Sequence, residues 1–387
     1  MDAAASNIAV LQVLPSLVTG GVERGTVEIT QAVAAAGGIA LVASAGGRMV
    51  RAVERAGGRH LTLPLASKNP ATVWRNAALL ADVVRSDHVA IVHARSRAPA
   101  WSAWLACRRT GAHFVTTWHG TYGEDLPFKR RYNAVMAKGE RVIVASRFIA
   151  DLIMARHGTD PARIRLIPRG VDTAVFDPDA VSGDRIVRLE RAWRIPDGAA
   201  VVLLPGRLTR WKGQAVLIDA LARMARRDVV AVLVGSDQGR RRYSAALIRQ
   251  AESLGVADRL RLAGECDDMP AAMMLADVVV HASTEPEAFG RVVIEAQAMG
   301  RPVIASDLGG PVETVEQGVT GWRVPPGDPA ALAAAIEQAL ALPADARAAM
   351  GARARAAVQR GYTVSAMQAA TLAVYDELLI GVAATAA

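Results

Sequence analysis

Short runs of branched apolar residues alternate with amphipathic helical stretches along this chain, and the rhythm occurs twice. Ile8-Ala-Val-Leu-Gln-Val-Leu leads into a glycine turn and a helical pattern through Ala36. Ala40-Leu-Val-Ala, Ala90-Ile-Val-His, Phe114-Val-Thr-Thr, Arg141-Val-Ile-Val-Ala and Ile164-Arg-Leu-Ile follow. The second series is Ala200-Val-Val-Leu-Leu, Val229-Val-Ala-Val-Leu-Val, Leu260-Arg-Leu-Ala, Val278-Val-Val-His and Pro302-Val-Ile-Ala. Runs that are apolar at nearly every position predict strands buried on both faces, hence parallel sheets covered by helices. A chain of 387 residues is too long for one ordinary core. The expectation is an α/β protein of two Rossmann-like, doubly wound domains.

Pro168-Arg-Gly-Val-Asp-Thr-Ala-Val-Phe-Asp-Pro-Asp has the composition of turns, which places the boundary between Gly170 and Pro196. The first domain is therefore expected at 1–180 and the second from 181, with a helix from Ser182 to Trp193 leading into it. Ligands bind beyond the carboxyl ends of strands in open α/β sheets, so two such domains predict a shared central cleft. No apolar run reaches the ~18 residues that a membrane span needs. Met1-Asp2 begins no basic leader, and Cys107 and Cys266 form neither a disulfide framework nor a metal quartet. A cytoplasmic, reducing setting is expected. Of the +8 net charge, residues 1–180 hold all: they contain 22 Lys/Arg against 14 Asp/Glu, and the remainder has 23 of each. Such a surplus is either solvated or draws an anionic partner: a membrane leaflet, a phosphorylated glycolipid or nucleic acid. Nucleic acid is the weakest of these, because no zinc knuckle, recognition helix or aromatic–basic RNA motif is present.

Several residues stand where ligands would be met. Glu287-Ala-Phe-Gly-Arg-Val-Val-Ile-Glu295 runs from a loop into a helix. Its spacing would set one carboxylate beside a sugar and the other beside a ribose. Ala288, Phe289, Gly290 and Arg291 would offer backbone N–H groups to a phosphate at the helix start. Gly206-Arg207-Leu-Thr-Arg-Trp-Lys212-Gly213 follows a strand directly, with a guanidinium fork and a compact ammonium suited to adjacent phosphates. Gly20-Gly21 follows the first strand and is either a ligand-approaching loop or a plain tight turn. His119 follows the strand beginning at Phe114 and points to a sugar hydroxyl or the reacting centre. His93 is read as acceptor binding or packing; His281 ends a strand near Glu287 and has no assigned role. Asp177-Pro-Asp179 matches a cation-holding Asp-x-Asp but lies in a turn, and Asp267-Asp268 reads as a helix cap. No metal is assigned.

Taken in order, these motifs resemble the retaining, metal-independent glycosyltransferases of family 4 with the GT-B fold, over nearly the whole chain. The resemblance is strongest from Pro205 to Lys212 and from Ser283 to Pro326, including Ala305-Ser-Asp-Leu-Gly-Gly-Pro-Val-Glu313 and Gly318-Val-Thr-Gly-Trp-Arg-Val-Pro-Pro326. It implies that Glu287 contacts the donor sugar and Glu295 the ribose, while Arg207 and Lys212 grip the diphosphate. It further implies that Gly20-Gly21 approaches the donor phosphates or the acceptor, and that His119 touches the transferred sugar. Backbone near Glu265 and Cys266 is expected to meet the base. A final helix, Thr363 to Leu379, would return to the first domain, bounding the second at 181–362 and a tail at 363–387. Arg169 departs from the family's common Pro-Asn-Gly-Val-Asp.

The implied reaction moves a hexose from a nucleotide-sugar such as a UDP- or GDP-hexose, with no metal and no other cofactor. Arg95, Arg97, Lys129, Arg130 and Arg131, with Trp101, Trp104, Trp118 and Tyr122 among them, suit an anionic lipid-linked glycan at the inner membrane surface. His93 to Tyr122 also resembles enzymes of lipopolysaccharide-core and related surface-glycan assembly. The rival readings are a non-catalytic nucleotide-sugar binder, a bilobed solute-binding protein, and an epimerase or phosphorylase of the same architecture.

Overall fold

The computed structural model describes residues 8–18 and 20–385. The chain divides into two compact units, Met1–Pro168 with Ser365–Ala387, and Arg169–Val364.

In the first unit the strands are β1 (Ala9–Val13), β2 (Ile39–Ser44), β3 (Arg59–Thr62), β4 (Val89–Ala94), β5 (His113–Trp118), β6 (Arg141–Val144) and β7 (Ile164–Leu166). They form one sheet in the order β3-β2-β1-β4-β5-β6-β7, with every pair parallel. The second unit contributes β8 (Ala200–Pro205), β9 (Val229–Val234), β10 (Leu260–Gly264), β11 (Val278–His281), β12 (Val303–Ser306) and β13 (Trp322–Val324). These also pair in parallel, in the order β10-β9-β8-β11-β12-β13. Both are doubly wound orders, with the switch point beside the first strand of each sheet. The central strands carry the apolar runs and are buried on both faces, as Leu11, Ile91, Val202 and Val280 show.

Two strands have no counterpart in the sequence reading, β3 and β13. Each is an edge strand; β3 is polar and half-exposed, and β13 has only three residues. Neither offers a continuous apolar run.

The change from one unit to the other falls at Pro168/Arg169, earlier than the expected 180/181. Gly170 and Val171 are already tied to the end of the second unit. Val171 bridges Thr363 in parallel; its N–H donates to the Tyr362 carbonyl (2.8 Å) and its own carbonyl accepts from Val364 N–H (3.0 Å). A Cβ on Gly170 would lie 2.5 Å from backbone of Thr363 and Val364, so a side chain there would force the two strands of chain apart.

The final helix, Val364–Thr385, packs on the first sheet. Met367, Val374, Tyr375 and Leu378 join Val10, Ile91, Val115 and Ile143 in one core. Arg141 and Arg165 both donate to Glu377 on that helix, and their hydrogen bonds hold its carboxyl down at about 2. Among the described residues no helix is long and apolar enough to cross a membrane.

Candidate functional site

Within the second unit, the carboxyl ends of β8, β9 and β10 lie side by side. Gly206 N–H donates to the Val234 carbonyl (2.7 Å), and Gly235 N–H to the Gly264 carbonyl (2.7 Å). Arg207 follows β8 and is exposed, and its side chain has no hydrogen-bonding partner among the described residues. Glu265, exposed, and Cys266, half-buried, follow β10 along the same edge; burial pushes the Cys266 thiol up.

Lys212 closes a short 3-10 turn, Arg210–Lys212, and Gly213 caps it with φ +73°. A Cβ on Gly213 would stand 1.8 Å from the Ala282 carbonyl oxygen, so the two loops touch backbone to backbone. Thr284 N–H donates to the Trp211 carbonyl (2.8 Å), tying the loop after β8 to the loop after β11. Gly213→Ala should therefore cost about 2–4 kcal/mol, from left-handed strain plus the clash, readable as a fall in Tm. An unchanged Tm would mean that the loops have room to separate.

This clamp brings Lys212 to Glu287, with Nζ 2.7 Å from Oε1. His281 Nε2 lies 2.6 Å from the same oxygen, and Ser283 Oγ donates to it as well. The Lys212 and Glu287 side chains are 13% and 14% exposed. Burial alone would push the Glu287 carboxyl up. The charges of His281 and Lys212, and the hydrogen bonds from both, outweigh burial and hold the carboxyl well below the usual carboxylate range. Lys212 Nζ also stands 4.6 Å from the Trp211 ring centroid, a cation–π contact.

The backbone carrying Glu287 is fixed from the opposite side. Glu287 bridges Gly309, Gly310 N–H donates to the Glu287 carbonyl (2.8 Å), and a Cβ on Gly310 would come within 2.5 Å of Ala288 O and Phe289 Cα. Ala288 and Phe289 are buried, the Phe289 ring lying 5.8 Å from that of Tyr362. Gly290, at φ +80°, caps the helix Arg291–Ala298 without a side-chain cap, and its carbonyl accepts from Val293 N–H (3.0 Å). Glu295 is buried on this helix, with its Oε1 3.7 Å from Arg291 Nε.

In the first unit, Gly20 caps the helix Gly21–Ala35 and both glycines are exposed after β1. His119 follows β5; its N–H donates to Tyr122 Oη (3.4 Å), and the Arg97 guanidinium lies 4.0 Å over the Tyr122 ring. Arg97 also donates to Asn133 Oδ1 (2.9 Å). Lys129, Arg130 and Arg131 are borne on the helix Pro127–Asn133, with Lys129 Nζ 3.1 Å from Asp125.

Arg95 is a correction. It is 2% exposed and cannot belong to a surface patch. Its guanidinium donates to Gln12 Oε1 (2.9 and 2.6 Å) and to the Gly25 carbonyl (3.0 Å), joining β1 to the helix after it. Trp118 is likewise fully buried, against Tyr122 and His157. His93 is a packing residue: Nδ1 meets Tyr375 Oη (2.7 Å) and Nε2 meets Thr117 Oγ1 (2.6 Å). Asp177 caps its own turn and pairs with Arg355 (2.7 Å), and Asp268 caps the helix Met269–Leu275 and pairs with Arg185. His281 and Ser283 are the site residues that sequence reasoning left without a role. The available signal was that His281 ends β11 six residues before Glu287.

The sequence matches the family described as Glycosyltransferase Family 4 over residues 19–175, and Glycosyl transferases group 1 over 187–357. The chain is similar to a glycosyltransferase from Rickettsia africae ESF-5, 35% identical, with a TM-score of 0.89 and coverage of 96% of this chain and 99% of that one. It is similar to HepE from Anabaena, solved in complex with UDP and glucose, at 26% identity, TM-score 0.83 and coverage of 95% and 99%. The D-inositol 3-phosphate glycosyltransferase of Salinispora tropica is 32% identical, in a match that covers 68% of this chain and 59% of that protein. The chain thus spans about three-fifths of the length of the curated relatives it matches. With both domain types matched in order and a relative at 35% identity aligned almost end to end, the chain belongs to the family 4 glycosyltransferases, of the GT-B fold.

Proposed function

We propose that the protein transfers a hexose from a UDP- or GDP-hexose to an anionic lipid-linked glycan of the lipopolysaccharide type, with retention of configuration and without a metal. The observation that carries this reading is the convergence of Lys212, His281 and Ser283 on one oxygen of a buried Glu287. Arg207 stands exposed after the neighbouring strand, and the cluster lies within the residues matched to Glycosyl transferases group 1, 187–357. HepE, crystallised with UDP and glucose, favours a UDP-hexose as the donor.

As the bond from the anomeric carbon to the diphosphate breaks, the leaving group gains negative charge. Arg207, Lys212 and the N–H groups opening the helix Arg291–Ala298 would stabilise that charge. Glu287 would orient a sugar hydroxyl, Glu295 the ribose hydroxyls and His119 the transferred sugar. Backbone at Glu265 and Cys266 would meet the base. Glu287 is a poor covalent nucleophile because its charge is already matched by Lys212. The acceptor therefore attacks from the face the diphosphate leaves, and the departing phosphate takes the acceptor's proton.

For the acceptor, Lys129, Arg130 and Arg131 stand beside Phe128 and Leu126, which are 64% and 45% exposed. Cations next to exposed apolar side chains fit the cytoplasmic face of an anionic leaflet. Replacing all three cations by glutamine should weaken partitioning onto anionic vesicles about 10–10²-fold, at roughly 1 kcal/mol per charge less what Asp125 already offsets. Unchanged partitioning removes this surface from the account. A second reading, transfer to a phosphorylated polyol, is favoured by the 32% identity to D-inositol 3-phosphate glycosyltransferases.

The test is a thermal-shift screen of UDP-, GDP- and ADP-sugars, followed by assay of donor hydrolysis and of transfer to each acceptor class. A donor at 100 times its Kd should add about 2.7 kcal/mol of stability. A shift without turnover would instead mark a binding protein, and no shift with any donor would sink the reading.

A further inference from the structure

Glu287 uses its two oxygens unequally. Oε1 accepts from Lys212 Nζ (2.7 Å), His281 Nε2 (2.6 Å) and Ser283 Oγ. Oε2 accepts no hydrogen bond among the described residues and is not among the buried, unpaired atoms. A carboxylate oxygen with three donors has no room for a fourth, so a ligand hydroxyl must address Oε2. His281 is committed to this task. It is buried, its Nδ1 meets no hydrogen-bonding partner among the described residues, and its one hydrogen-bonding edge faces Glu287 and Ser283. The ring is held by burial, at 5% exposure, and its Nε2 lies close to the backbone of Gly290, where an added Cβ would stand 3.5 Å away. Lys212 differs: on the proposed function it also faces the diphosphate, so its hold on Oε1 is shared when donor binds.

We propose that His281 and Ser283 are positioning residues that pin Glu287 through Oε1 and so aim Oε2 at one hydroxyl of the donor sugar. This rests on the reading of the second unit as the nucleotide-sugar site and adds to it a sugar-selecting device. While Lys212 turns toward the diphosphate, the other two donors keep the carboxylate in place. Discrimination among hexoses then depends on the rigidity of Glu287, since a hydrogen bond aimed at a fixed acceptor is lost when the hydroxyl is missing or inverted.

The experiment uses the full chain with its best nucleotide-sugar and the monodeoxy analogues of that sugar. His281→Phe removes the ring's donor with little change in volume, Ser283→Ala removes the second donor, and His281→Gln keeps an N–H near the Nε2 position. His281→Phe should lower kcat/KM about 10–10²-fold on the complete donor while leaving the Kd for UDP alone within about twofold. Ser283→Ala should show a smaller loss of the same pattern, and His281→Gln should recover much of the activity. For one deoxy analogue the penalty should vanish, because the hydroxyl served by Oε2 is already gone. Equal losses on every analogue, or a loss that follows UDP affinity and Tm with no rescue by glutamine, would overturn the assignment and leave His281 a scaffold residue. If the wild-type protein neither binds nor turns over any nucleotide-sugar, the proposed function itself fails, which is a separate outcome.

Discussion

Lys212→Ala is expected to lower turnover about 10²-fold or more, with a smaller change in donor affinity. On the proposed function Lys212 meets charge that grows only as the diphosphate departs, and removing one preorganised donor to such charge typically costs that much. The loss has a second origin in this structure. Lys212 neutralises the largely buried Glu287, so the alanine variant leaves that carboxylate facing His281 and Ser283 alone. Lys212→Arg should not restore turnover, because a planar fork does not reproduce the single compact charge that stands 2.7 Å from Glu287 Oε1 and 4.6 Å from the Trp211 ring centroid. Steady-state kcat and KM for the donor check this. Near-normal turnover in the alanine variant would remove Lys212 from the chemistry.

The other large effect belongs to Glu287→Gln. It should lower kcat/KM by about 10²-fold or more if Glu287 orients the sugar as proposed, since the amide cannot serve three donors and a sugar hydroxyl as a carboxylate does. It should also destabilise the second unit by about 2–4 kcal/mol, because Lys212, 13% exposed, keeps its charge without its partner. The pH dependence gives an independent check. The folded-state carboxyl is held well below its ordinary range, so its stabilisation is fully present above the unfolded value of about 4.3. That stabilisation is lost as pH falls through the lower folded value. The Tm gap between wild type and Glu287→Gln should therefore be widest at neutral pH and narrow toward pH 3. A gap independent of pH would mean that the ion cluster does not form in solution.

How far these sites could be read in advance depended on which property of a residue mattered. Both doubly wound sheets were legible because their central strands are apolar on both faces. The edge strands β3 and β13 were not, since one half-exposed face erases the run. That Glu287, Lys212 and Arg207 lie beyond strand ends was legible, because each comes within seven residues of the end of an apolar run. His281 and Ser283 were visible, yet their joint aim at Oε1 depends on how the turn from Ala282 to Pro286 folds back, and no spacing encodes that. Arg95 shows the opposite limit. Its charge is plain in the sequence, but its direction is not; Gln12 and the Gly25 carbonyl draw it inward. Where one unit passes to the other is set the same way, because Gly170 and Val171 are claimed by Tyr362, Thr363 and Val364, almost two hundred residues later in the chain.

The most direct test of the central claim, metal-independent transfer from a nucleotide-sugar held by the Lys212–Glu287 cluster, is release of nucleoside diphosphate by the purified chain in excess EDTA. Wild type and Lys212→Ala would be compared on the donor that gives the largest thermal shift. Steady release by the wild type, unaffected by EDTA, and about 10²-fold less by the variant are expected. Release that stops on chelation, or proceeds equally in both proteins, would contradict the claim.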